Sequence, residues 1–167
     1  MRKSILLMFL LLTAGMTANA QKFALIDMEY ILKNIPAYER ANEQLAQSSQ
    51  VWQSEVEKIS EEAKTMYKEY QSKIATLSEE QRGKREEAIV AKEKSAADLR
   101  RQYFGPEGEL YKKRESLMKP IQDEIYNAVK EIATQKGYAV VVDRASASSV
   151  IFATPSIDVS NEVLAKL

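Results

Sequence analysis

The side chains best suited to move protons or hold metals are missing: neither histidine nor cysteine occurs among the 167 residues. Their absence removes the usual general base and the commonest metal ligand, the thiolate nucleophile and any disulfide. Carboxylates, lysines and hydroxyls remain. The most suggestive pair is Asp143-Arg144, which follows the apolar run Tyr138-Ala139-Val140-Val141-Val142, because segments leaving strands often carry function. Asp143 also has a simpler role as a strand-ending residue whose carboxylate accepts backbone N–H bonds in a turn. Other acids, among them Glu55, Glu61, Glu62 and Glu69, alternate with Lys58 and Lys68 and read as a solvated helix surface. No Gly-x-x-x-x-Gly-Lys-Ser/Thr run is present, so the chain offers no such phosphate-cradling loop for ATP. This inventory argues against an enzyme, and it assigns no catalytic, cofactor-binding or metal-binding residue.

The elements around these groups are more legible. Arg2 and Lys3 precede an apolar run from Ile5 to Leu12, and small and polar residues end at Ala18-Asn19-Ala20. A positive start, a short apolar stretch and an A-x-A close describe an export signal over residues 1–20, cut after Ala20. The apolar run falls short of the roughly 20 residues that a membrane span needs. No cysteine follows the cut, which excludes a lipid anchor there, and the mature chain is expected to begin at Gln21. The signal removes two of the 24 basic residues and none of the 24 acidic ones. A near-neutral chain of this kind carries no polyelectrolyte signal, so nucleic acid is not an expected partner.

Apolar residues recur at steps of four and three through Trp52, Val56, Ile59, Ala63, Met66, Tyr70 and Leu77, with Ile74 beside the slot at Lys73. A second seam runs through Ile89, Ala96, Tyr103, Leu110 and Leu117, with Leu99 between. Such heptad seams mark helices packed along one another. Ser78-x-x-Gln81 has the form of a capping box that starts a new helix. Reversal at Leu77–Ser78 sets Met66 against Ile89, Ile59 against Ala96, Val56 against Leu99, Trp52 against Tyr103 and Leu45 against Leu110. Gly83 is the competing turn. Phe104-Gly105-Pro106-Glu107-Gly108 should bend or break the return helix, and Lys119-Pro120 is a second expected kink. Phe104, Tyr111, Met118, Ile125 and Ile132 form a second apolar stripe there, wide enough for more than one packing partner.

Both ends supply strands. Lys22–Asp27, Tyr138–Asp143 and Ser149–Ala153 read as three short strands, with Gly137 ending the helix before the second and Ser160 placed to cap a last helix over 161–167. So small a sheet buries little apolar surface, and association with other copies is the simplest cover. The expected fold is α+β and predominantly α. A long antiparallel helical hairpin, a coiled-coil arm over residues 36–136 turning near 77–78, stands on a small β-body from residues 21–35 and 137–167.

Two segments carry a family resemblance. Lys22-Phe-Ala-Leu-Ile-Asp-Met-Glu-Tyr-Ile-Leu-Lys-Asn-Ile-Pro36 resembles the opening of the Skp/OmpH family of periplasmic chaperones. Gly137-Tyr-Ala-Val-Val-Val-Asp143, together with Ile157-Asp-Val-Ser-Asn-Glu-Val-Leu164, resembles its closing strands and terminal helix. The resemblance implies a periplasmic homotrimer, its strands forming a shared β-body and its hairpins enclosing unfolded outer-membrane proteins without ATP or cofactor. It makes Phe23, Leu25, Ile26, Val140, Val141, Val142, Ile151 and Phe152 candidates for oligomerisation. Tyr67, Ile74, Phe104, Tyr111 and Met118 become candidates for client contact, since aromatics and methionine adapt to varied apolar partners. Well-known members have strongly basic arms, whereas Ser78–Lys94 here balances five acids with five bases. That balance argues against a tip that binds membrane lipid or lipopolysaccharide. The alternative function is a structural coiled-coil scaffold or spacer of the cell envelope with one specific partner.

Overall fold

The computed structural model describes residues 22–147 and 149–167. The expected export signal and its cut lie outside the described residues. The described residues form, in order, β1 (Lys22–Ile26), α1 (Met28–Lys33), α2 (Pro36–Lys73), a 3-10 turn (Ile74–Thr76), α3 (Glu79–Phe104), α4 (Glu109–Lys136), β2 (Tyr138–Asp143), a second 3-10 turn (Pro155–Ile157) and α5 (Ser160–Leu164). They form two compact units, one of Leu32–Tyr126 and the other of the segments up to Ile31 and from Asn127 to Leu167.

Within Leu32–Tyr126, Pro36 opens α2 at a position where a missing N–H costs nothing. Val56, Ala63 and Tyr70 of α2 are buried at seven-residue steps, as are Ile89 and Ala96 of α3. The chain reverses between the two helices. Leu77 is extended, and the Ser78 Oγ accepts the Gln81 N–H while the Gln81 side chain accepts the Ser78 N–H, which satisfies two otherwise orphan donors. Trp52 stacks on Tyr103 with ring centroids 5.1 Å apart and planes 12° from parallel. Lys92 pairs with Glu62 at 2.6 Å, and the Tyr70 hydroxyl donates to Glu86. These contacts share the register that a reversal at Leu77–Ser78 requires. Gly83 sits inside α3 with open space where a Cβ would go, so the competing turn is not used.

The break expected at Phe104–Gly108 does occur. α3 ends at Phe104, the Gly105 N–H reaches the Arg101 carbonyl at 2.8 Å, and the Gly108 N–H reaches the Gly105 carbonyl at 2.9 Å. A Cβ on Gly108 would lie 2.7 Å from the Gln102 oxygen and 2.8 Å from the Tyr103 oxygen, an approach that only glycine permits. At the expected kink, α4 passes through Pro120 without ending. Ser116, whose carbonyl Pro120 leaves without a donor, is exposed, so water can serve it.

In the other unit, β1 and β2 pair in parallel, with Phe23 opposite Val140, Ala24 opposite Val141, Leu25 opposite Val142 and Ile26 opposite Asp143. Parallel strands need a long crossover, and the helical segment between them supplies it. Gly137, at φ 70°, closes α4 in the left-handed conformation that favours glycine. Ala24, Leu25, Ile26, Ile31, Ala128, Ile132, Val159 and Val163 are buried in this unit.

Two expectations are corrected here. The third strand over Ser149–Ala153 does not form: the described residues there hold no regular structure, and Ile151 is 98% and Phe152 82% exposed. A strand of such composition needs an apolar cover that one chain does not provide. The chain instead returns to β1 later, through a parallel bridge between Leu25 and Asp158 and a 2.9 Å bond from the Val159 N–H to the Leu25 carbonyl. Ser160 does not cap the last helix from outside but opens α5, and its buried hydroxyl is used elsewhere.

Candidate binding surface

The Asp143-Arg144 pair sits at the centre of a polar clasp. Oδ1 of Asp143 accepts the N–H groups of Met28 and Ala145, each at 3.0 Å. The Arg144 guanidinium meets Asp27 at 3.0 Å and Asp158 at 3.3 Å. Ser160 Oγ accepts the Asp27 N–H at 2.8 Å and donates to Asp158 at 2.6 Å. The Asp27 carboxyl is held below its ordinary pKa by the Tyr30 N–H and then by Arg144, against the opposing effect of burial. Burial works most strongly to raise Asp143, but the hydrogen bonds from Met28, Ser146 and Ala145 outweigh it and the net shift is downward. These carboxylates are acceptors already committed to backbone and guanidinium donors, an arrangement suited to fixing β1, β2 and α5 together. Among the described residues no cluster of three or more ligating side chains could hold a metal ion.

The apolar candidates are exposed in a pattern. Tyr67 on α2 is 51% exposed. Ser60 and Ala97 line opposite walls of one groove between α2 and α3. Tyr67 follows Ser60 by seven residues, and Val90 and Phe104 flank Ala97 by seven on either side. The heptad repeat therefore sets Tyr67, Val90 and Phe104 on the same side of the hairpin. Val90, exposed like Phe104, escapes the sequence reading because it follows the seam residue Ile89 within the run Ala88-Ile89-Val90-Ala91; its spacing from Phe104 is the signal that would have found it. Tyr111 and Met118 share a separate shallow groove on α4, walled by Lys112, Glu115 and Lys119. The Tyr111 hydroxyl donates to Glu115 at 2.9 Å, and this bond with the carboxylate's charge raises its pKa. Ile74, seven residues past Tyr67, is half-buried in the 3-10 turn that follows α2.

The oligomerisation candidates divide by exposure. Phe23 and Val140, register partners across the sheet, are both exposed, as are Ile151 and Phe152. Val141 and Val142 are half-buried. Leu25 and Ile26 are buried within their own chain, so they serve its core. No described helix is long and apolar enough to cross a membrane.

Comparison with known proteins converges on one family. The family model described as outer membrane protein (OmpH-like) matches residues 22–167. The chaperone protein Skp of Yersinia enterocolitica is 27% identical over 157 residues, covering 93% of this chain and 91% of that protein. The fold is similar to a crystal structure from Caulobacter crescentus CB15, described as an OmpH-like outer membrane chaperone. The TM-score is 0.72 at 13% identity, over 86% of this chain and 81% of that one. A match across all but the N-terminal segment shows that this chain belongs to the OmpH-like outer membrane protein family, a family of Skp-like chaperones.

Proposed function

We propose that this protein is an ATP-independent holdase that binds unfolded outer-membrane β-barrel proteins in the periplasm and keeps them from aggregating. It acts as a homotrimer after cleavage following Ala20, with no cofactor and no catalytic step. The observation that carries this reading is the set of exposed apolar side chains, Tyr67, Val90 and Phe104, along one side of a charged helical hairpin in a chain of this family. Each contact is weak and unspecific in shape, which suits clients that share only exposed apolar surface. Several arms acting on one client raise retention by effective concentration without a single strong site. Holding the unfolded chain lowers its free concentration, and so slows association between clients. Phe23, Val140, Ile151 and Phe152 form the subunit contact, where assembly supplies the missing apolar cover.

Replacing both Tyr67 and Tyr111 by Ser tests the contact surface. Client retention is expected to fall while the oligomer, followed by sedimentation, stays intact. Unchanged retention would remove these residues from the surface, and loss of the oligomer would show that they serve assembly instead.

A further inference from the structure

We propose that the mature chain carries a pyroglutamate at its N-terminus, formed from Gln21. The proposal rests on the export reading, in which the cut follows Ala20. That cut frees the α-amino group of a glutamine, whose own side-chain amide carbon is one five-membered ring away. An α-amino group titrates at about 7.7–8.0, so near neutral pH an appreciable share is the unprotonated nucleophile. The amine nitrogen attacks Cδ and a C–N bond forms. The bond from Cδ to Nε2 breaks, and that nitrogen leaves as ammonia with the proton given up by the amine. Nothing is oxidised or reduced, and no co-reactant is consumed.

The position of β1 makes this end-group consequential. Lys22 is already in the strand, so the sheet includes the second residue of the mature chain. Phe23 already pairs with Val140, and Ala24, the next residue, is fully buried. A free amino terminus would therefore have at most one residue, Gln21, ahead of the sheet. Stepwise trimming would take Lys22 and Phe23 from the ladder and then reach the core. A lactam presents no α-amine to an aminopeptidase, and it also removes a positive charge from the strand end that bears the Lys22 ammonium.

The test is the intact mass of protein expressed from Met1, recovered from the periplasm and held at neutral pH until its mass stops changing. The expected mass is that of Gln21–Leu167 less one ammonia, with the chain resistant to an aminopeptidase. A Gln21→Ser variant is expected at full mass and to lose residues under the same treatment. A chain that begins at Gln21 and keeps its ammonia overturns the proposal and leaves the export reading standing. A chain that begins elsewhere overturns both.

Discussion

Arg144 joins three segments far apart in sequence, since its guanidinium meets Asp27 after β1 and Asp158 ahead of α5. Asp27 is held below its ordinary pKa, chiefly by the Tyr30 N–H and next by Arg144. A carboxyl with a depressed folded-state pKa contributes stability that is present above its unfolded pKa, about 3.9. That contribution is lost as pH falls through the folded value. Replacing Arg144 by Met raises the folded pKa of Asp27 toward the ordinary range. The acid transition followed by circular dichroism is then expected to move to higher pH than in the unaltered protein. An unmoved transition would show that Arg144 does not couple to Asp27 in solution. At neutral pH the same substitution is expected to cost about 1 kcal/mol or less, because the pairs are part-exposed and screened. The sequence marks Asp143 as a turn residue, and the structure agrees. It gives no sign of Arg144's two partners or of the buried Ser160 hydroxyl, because those contacts depend on how distant segments meet.

Helix boundaries were more legible, because local chemistry sets them. Ser78 forms both bonds of its capping box, and Ser78→Ala is expected to lower hairpin stability by about 1 kcal/mol in a urea melt. Two glycines of the hairpin, Gly83 and Gly108, predict opposite signs. Gly83 lies in a helix with nothing near its missing Cβ, so Gly83→Ala should stabilise by roughly 0.5–1 kcal/mol through helix propensity. Gly108 would drive a Cβ against the carbonyls of Gln102 and Tyr103, so Gly108→Ala should destabilise by a larger amount. Equal effects from the two would contradict the close approach seen at the second break. The third strand shows where sequence reasoning stops. Ser149–Ala153 has the composition of a strand, yet β-propensity records fit to a half-buried pleated surface, and a single chain builds no such surface around it. Seam residues such as Val56 and Ala96 are recognisable because their partners recur every seven residues. An exposed residue such as Val90 has no partner to impose a pattern, so only its placement on the folded hairpin brings it to notice.

For the whole molecule, the charged hairpin and the exposed segment around Ile151 and Phe152 divide the proposed work between holding clients and holding copies together. Changing both Ile151 and Phe152 to Asp is expected to abolish the oligomer in sedimentation while helix content persists, since neither residue belongs to the hairpin's buried seam. A persisting oligomer would place the subunit contact elsewhere. Under the proposed function this chain holds unfolded barrel proteins without ATP. The most direct test is light scattering after a urea-unfolded outer-membrane barrel protein is diluted into buffer without ATP, titrated with the mature chain, beside an unrelated aggregation-prone protein. Suppression of scattering that saturates near one trimer per barrel client is the predicted result. Undiminished scattering in the presence of a folded, helical, oligomeric sample would contradict the holdase reading and favour a structural role with one specific partner.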